Sequence, residues 1–214
     1  MATLNNWYVS AREKGLELEK YIQVNQLRDL KRLNESGLPS YKTLLIDGLE
    51  FDSVKTRNFI SKFEMIWCRA INTSAKKRYY KLRIKGFDEF SDYLKTLPCE
   101  LKDLSLQVFE YHDDVFGGNI ISSEDKTIIE VAHGIQDNVS KSLTPFFHGH
   151  LTRTGRLEFN EKDAPIEMKK AALKALNYLK RERTHYLHGY FEFSVSKEGK
   201  IYFLDYKTGF PKLI

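Results

Sequence analysis

Cysteine is nearly absent from this chain. Cys68 and Cys99 are the only two, and they do not form a C-x-x-C pair. That spacing excludes a disulfide framework and offers no ligand pattern for a structural zinc. It fits a reducing cytosol. No apolar run approaches the ~20 residues that a membrane-spanning helix needs. The first residues, Met1-Ala2-Thr3-Leu4-Asn5-Asn6, lack the basic region and apolar stretch of a signal peptide. A cytoplasmic protein with no membrane contact is the expectation. Internal repeats and low-complexity tracts are missing as well. So is any long run of one charge: 34 basic residues are interleaved with 29 acidic ones, leaving a formal net charge of +5. The excess favours anionic ligands, but without a basic run a nucleic-acid partner is not favoured.

What is present suffices for a packed core. The chain has 214 residues, of which 42% are hydrophobic and 13% aromatic. That composition argues against disorder. The size suits one large domain or two small lobes. We divide it into residues 1–103, an N-terminal helical segment and first α+β lobe, and residues 104–214, a second α+β lobe ending in a hairpin.

Residues 12–36 carry Leu16, Leu18, Tyr21, Ile22, Leu27, Leu30 and Leu33 at roughly helical spacing, and Gly37-Leu38-Pro39 ends that helix. Residues 43–46 read as a strand and 53–63 as a short helix. Residues 65–71 form a buried strand with one charge, Arg69, and 87–96 an amphipathic helix closed by Pro98. The second half is richer in strands, at 105–111, 116–122 and 127–132, with a pair within 148–157 around Thr154-Gly155. Residues 165–183 form the clearest helix, with a basic end that suits the helix dipole. Short connections make most neighbours antiparallel, so the fold class is α+β.

The most informative segment is the last. Two alternating runs, Tyr190 to Ser196 and Lys200 to Tyr206, flank Glu198-Gly199, a hairpin signature. If Glu198-Gly199 is a two-residue loop, Lys197 faces Lys200 and Glu192 faces Asp205. Facing residues share one side of the sheet with Cβ atoms about 5 Å apart, and like charges there destabilise unless compensated. Lys207, two residues beyond Asp205, points to the same side. Two carboxylates at this distance form a half-shell for Mg²⁺, and the lysine suits a phosphate. The other reading is a solvent-facing edge hairpin with Lys207 as an ordinary ion-pair partner.

Arg69, alone in an apolar strand, needs a partner, either a phosphate or an internal carboxylate. Gln107 and Glu110 lie three apart and point to opposite faces of a regular strand, so both can serve one ligand only if the chain bends near Tyr111. Gly117-Gly118 lets backbone approach a ligand or marks a bulge. Glu130 and His133 read as surface residues, with Glu130 also a ligand candidate, weaker than Glu192 and Asp205. His148 and His150 read as structural. Lys76-Lys77-Arg78-Tyr79-Tyr80 reads as a solvated loop that could cover a triphosphate or touch RNA.

The order of segments over residues 104–207 resembles the C-terminal part of an ATP-grasp nucleotide-binding fold, nearest to the nucleotide-binding domain of phosphoenolpyruvate synthase and pyruvate phosphate dikinase. The resemblance rests on Leu106-Gln107-Val108-Phe109-Glu110-Tyr111, Gly117-Gly118-Asn119-Ile120-Ile121, Ile128-Ile129-Glu130-Val131-Ala132-His133-Gly134, Glu192-Phe193 and Ile201-Tyr202-Phe203-Leu204-Asp205-Tyr206-Lys207-Thr208. Val139-Ser140 stands where the family has a Val-rich turn. More loosely, Trp67-Cys68-Arg69-Ala70 takes the place of the family's Val-Arg-Ser-Ser strand, and Gly37-Leu38-Pro39 of its Gly-hydrophobic-Pro turn. Asp205 stands for Gln or Glu, Lys207 for Arg and Thr208 for Pro. The Asn of the Glu-x-Asn-Pro ending common in ATP-grasp ligases is absent.

The resemblance implies an ATP-grasp-like, two-lobe architecture of largely antiparallel sheets with flanking helices and ATP between the lobes. It implies Mg²⁺ held by Glu192 and Asp205, and Arg69 and Lys207 as the catalytic cations. Gln107, Glu110 and Tyr111 would lie around adenine and ribose, with Gly118 and Glu130 as further contacts. The reaction would be phosphoryl transfer or ATP-dependent ligation to an unidentified small-molecule or protein acceptor, with a homodimer or separate partner domain completing the site. The alternatives are a non-catalytic nucleotide-binding or protein-interaction module that keeps the fold, and an RNA-associated protein.

Overall fold

The computed structural model describes residues 26–123, 127–134, 146–152, 154–182 and 185–208. In chain order the described elements are α1 (Gln26–Glu35), β1 (Thr43–Asp47), α2 (Val54–Ile60), β2 (Ile66–Asn72), β3 (Lys77–Ile84), α3 (Gly86–Lys95), β4 (Leu104–Glu110), β5 (Asp114–Ser122), β6 (Thr127–His133), β7 (Phe146–Leu151), β8 (Leu157–Phe159), α4 (Ile166–Leu179), β9 (Lys180–Glu182), β10 (His185–Tyr186), β11 (Gly189–Ser196) and β12 (Ile201–Lys207). Every strand pairing in its sheets is antiparallel, and the class is α+β as expected. Residues 12–25 of the expected first helix and the Val139-Ser140 turn lie outside the described residues. No helix among the described residues is long and apolar enough to cross a membrane.

Two compact units result. Tyr41–His112 form one; the described residues up to Ser40 and from Asp113 onward form the other. The division expected between residues 103 and 104 falls just ahead of β4, which pairs with β1 and β2 in the smaller unit's sheet.

The smaller unit has strand order β1-β4-β2-β3. β2 alternates between buried and half-buried positions along its whole length. Its buried set, Ile66, Cys68 and Ala70, clusters with Ile60 of α2 and Phe90 and Leu94 of α3. The Ile, Leu and Phe side chains of this cluster each contribute roughly 1.5–3 kcal/mol on burial. Ser53 caps α2 by accepting from the Thr56 amide at 3.3 Å. Glu89 caps α3 by accepting from the Lys85 amide at 2.8 Å. The cationic segment read as a solvated loop is mostly strand: Lys77–Ile84 form the edge strand β3, paired with β2. Its mostly exposed, charged side chains suit an edge, where charge discourages pairing with other chains.

The larger unit has strand order β12-β11-β5-β6-β7-β8. Leu33 of α1 and Met168, Ala172, Leu176 and Leu179 of α4 cluster with Ile120, Ile129, Val131, Phe191, Phe193 and Phe203 of the sheet. The last helix is shorter than its sequence suggests. It stops at Leu179, its last buried residue, and Lys180–Glu182 turn into a short strand paired with His185–Tyr186.

Candidate functional site

The site is built on the β11–β12 hairpin. Its turn is longer than two residues: the Ser196 amide donates to the Lys200 carbonyl at 2.9 Å, enclosing Lys197-Glu198-Gly199. Gly199 sits at φ 71°, the left-handed position that closes a three-residue hairpin loop. That turn pairs Val195 with Ile201 and Phe193 with Phe203, one residue out of the expected register. A β-bulge then restores it. Leu204 is the extra residue, after which Glu192 pairs with Asp205, Phe191 with Tyr206 and Tyr190 with Lys207. The expected facing of Glu192 and Asp205 is present, reached by two compensating irregularities.

The pairing continues across the sheet. Glu192 pairs with Asn119, Asn119 with Glu130, and Glu130 with His148. Asp205, Glu192, Asn119, Glu130 and His148 therefore form one transverse row on one face, on strands ~4.8 Å apart. The helix-packed residues Phe191, Ile120 and Ile129 occupy the opposite face, one position along each strand.

The row is held by short polar contacts. Lys207 Nζ lies 2.8 Å from Asp205 Oδ2, and both side chains are largely buried. The same ammonium sits 5.3 Å from the centroid of the Tyr190 ring. The Tyr190 hydroxyl is 2.9 Å from Glu192 Oε1 and 3.1 Å from Asn119 Oδ1. At the other end His148 lies between two carboxylates. Its Nδ1 is 3.0 Å from Glu161 Oε1, its backbone amide donates to Glu161 Oε2 at 2.9 Å, and its Nε2 is 3.5 Å from Glu130 Oε1. Burial pushes the Glu130 carboxyl above the usual range, against the pull of His148 and Asn119. Burial also raises Glu161, but its hydrogen bonds from His148 outweigh this and leave its carboxyl below the usual range.

In the smaller unit Arg69 and Gln107 pair across β2 and β4. Arg69 Nη1 donates to Gln107 Oε1 at 3.2 Å, and the guanidinium lies 5.5 Å from both the Trp67 and Tyr80 rings. Among the described residues the arginine has found an amide and aromatic faces rather than an internal carboxylate. Arg69 Nε and Gln107 Nε2 are buried without a hydrogen-bond partner. Glu110, on the opposite face from Gln107, accepts from the Lys42 amide at 3.0 Å and lies 3.6 Å from His112 Nε2. The Tyr111 hydroxyl accepts from Arg83 Nε at 2.8 Å.

The structure thus brings Glu192, Asp205 and Lys207 together, with Glu130 two strands along the same row. Gly118 lies elsewhere. It pairs with Phe193 and Val131 on the helix-packed side, where a Cβ would meet the Phe193 ring and the Glu130 carbonyl oxygen. Its smallness makes room for Phe193 rather than for a ligand on the polar face. Asn119, Tyr190 and Glu161 were not singled out in the sequence, and His148 was read only as structural. A signal existed for Asn119: strands ending at Ser122 and resuming at Thr127 already set it opposite Glu130.

Glu192 and Asp205 are hard oxygen donors suited to Mg²⁺. Lys207 engages one oxygen of Asp205, and the Tyr190 hydroxyl one oxygen of Glu192. Among the described residues no group of three or more His, Cys, Asp or Glu side chains could hold a metal. The rest of a cation's shell would come from other oxygens.

No protein-family model matches the chain. No curated protein matches it. Solved structures do. One is the macrocyclase MdnC from Microcystis aeruginosa MRC bound with precursor peptide MdnA, at 15% identity and TM-score 0.43, over 86% of this chain and 51% of that one. A second is a RiPP-associated ATP-grasp ligase of Chryseobacterium gregarium in complex with ADP and a leader and core peptide, at 14% identity and TM-score 0.41, over 83% and 49%. A third is N5-carboxyaminoimidazole synthetase from Staphylococcus aureus complexed with ADP, at 12% identity and TM-score 0.43, over 85% and 43%. Phosphoenolpyruvate synthase is not among these three. The chain spans about half the length of the structures it matches. At these TM-scores the similarity stands as an observation only.

Proposed function

We propose that the chain is a Mg·ATP-binding protein of ATP-grasp type that carries out phosphoryl transfer or ATP-dependent ligation. The observation that carries this reading is the facing of Glu192 and Asp205 with Lys207 beside them, in a segment whose motif order resembles that fold. Glu192 and Asp205 would hold Mg²⁺, which when bound would neutralise phosphate charge. Lys207 is a point charge for a phosphate oxygen, and Arg69 offers a second cation with an uncommitted N–H. Gln107, Glu110 and Tyr111 are assigned to the nucleoside and Glu130 to a further polar contact. Catalysis of this kind is positioning and electrostatic stabilisation, which fixed cations on sheet strands supply.

A second reading has its own observation. The Lys207–Asp205 ion pair already satisfies Asp205 without a metal, which favours a non-catalytic module built on the same fold.

Thermal unfolding with and without Mg·ATP, on the wild type and on Glu192→Gln, separates the two. At ligand a hundredfold above its dissociation constant a native-state binder gains roughly 2.7 kcal/mol. A magnesium-dependent shift that disappears in Glu192→Gln is the expected result. No shift with any nucleotide would leave the non-catalytic reading.

A further inference from the structure

Resting on the reading of Glu192 and Asp205 as a cation site, we infer that the side-chain oxygen of Asn119 is a third protein ligand, completing a three-oxygen set drawn from three adjacent strands. The hairpin itself cannot supply that oxygen, because the position two residues after Asp205 on the same face is Lys207, a cation. The neighbouring strand can. Asn119 pairs directly with Glu192 on its other flank, which puts their Cβ atoms about 5 Å apart.

The two oxygens converge. A single atom, the Tyr190 hydroxyl oxygen, lies within hydrogen-bond distance of both Asn119 Oδ1 and Glu192 Oε1. Two acceptors turned toward one point is the arrangement a cation requires. Asn119 is 2% exposed, so this oxygen is not solvated in competition. A neutral amide oxygen is an accepted ligand for hard cations and adds no charge beside two carboxylates.

The test is Mn²⁺ binding to the full chain without nucleotide, read by loss of the free-ion electron paramagnetic resonance signal, with Glu192→Gln as the site control. Asn119→Leu is expected to weaken Mn²⁺ by roughly tenfold or more. Asn119→Asp, which keeps an oxygen in place, is expected to bind at least as well as the wild type. Tyr190→Phe removes the hydroxyl and is expected to leave Mn²⁺ affinity nearly unchanged. If Asn119 served only as a partner for Tyr190, the Leu and Phe variants would weaken binding alike; that result, or full-strength binding by Asn119→Leu, overturns the assignment. Should Asn119→Leu fail to fold, Asn119→Ser, too short to reach the cation, must lose affinity while Asn119→Asp keeps it. Binding that survives Glu192→Gln, or no Mn²⁺ binding with or without ATP, overturns the carboxylate-pair reading itself.

Discussion

Glu192 faces Asp205 because Leu204, one residue before Asp205, is the extra residue of a β-bulge. In an unbroken strand Phe203 and Asp205 would share a face. The bulge sends Asp205 and Lys207 to the polar side and keeps Phe203 and Tyr206 among the apolar residues. Inserting one alanine between Leu204 and Asp205 should move Asp205 to the helix-packed side. Burying a carboxylate there is expected to cost several kcal/mol or abolish folding. Leu204→Ala keeps the bulge and should cost about 1 kcal/mol or less. Urea unfolding of both variants checks this; equal stabilities would show that the bulge does not set the face.

Lys207 and Asp205 form an ion pair in which both side chains are largely buried. Lys207→Met leaves Asp205 uncompensated and is expected to destabilise by about 3–5 kcal/mol. Adding Asp205→Asn should recover much of that loss. If the carboxylates hold a cation, Mg²⁺ should stabilise Lys207→Met more than the wild type, since it replaces the missing positive charge. Unfolding midpoints with and without Mg²⁺ measure both effects.

Burial raises the Glu130 carboxyl, with His148 and Asn119 pulling against it. A raised folded value means that the native state keeps a proton which the unfolded chain has already lost. Stability is then highest below the ordinary carboxylate range and declines as pH rises through the raised value. Glu130→Gln removes this decline. Its stability relative to the wild type should increase from acid to neutral pH. A difference that is constant across pH would contradict the assignment.

Arg69 supplies the hydrogen bond to Gln107 Oε1, while Gln107 Nε2 has no partner. Arg69→Met would leave the whole amide of a fully buried Gln107 unpaired, at an expected cost of about 1–3 kcal/mol. Arg69→Met with Gln107→Leu should cost less than Arg69→Met alone. If Arg69 also meets phosphate, neither variant will retain the wild-type thermal response to Mg·ATP, however stable it is.

Much of the architecture is legible in the sequence because apolar alternation is a local signal. β2, β4, β5 and β6 lie where their patterns put them. β3 escaped because Lys77, Arg78, Lys81 and Arg83 leave no apolar alternation on an exposed edge strand. The end of α4 was misjudged because Lys180–Glu182 are compatible with helix by propensity, and only pairing with His185–Tyr186 makes them extended. The facing carboxylates were legible although the turn was not, since one added residue in the loop and one in the bulge cancel. The longer row needed pairings with three further strands. Glu161 was out of reach, because nothing local ties it to His148, thirteen positions earlier.

The row from Asp205 to His148 takes one residue from each of five strands, whereas the apolar layer beneath takes the intervening positions. Substitutions on the polar side can therefore accumulate singly, each altering one point along a fixed ruler of ~4.8 Å steps. Strand register is held from the other side, by the side chains packed against α1 and α4. Such a sheet would leave most of the fold to its apolar layer and ligand choice to its polar row, the buried Lys207–Asp205 pair being the point where the two meet. A lineage carrying it can exchange one ligand for another without passing through an unfolded ancestor.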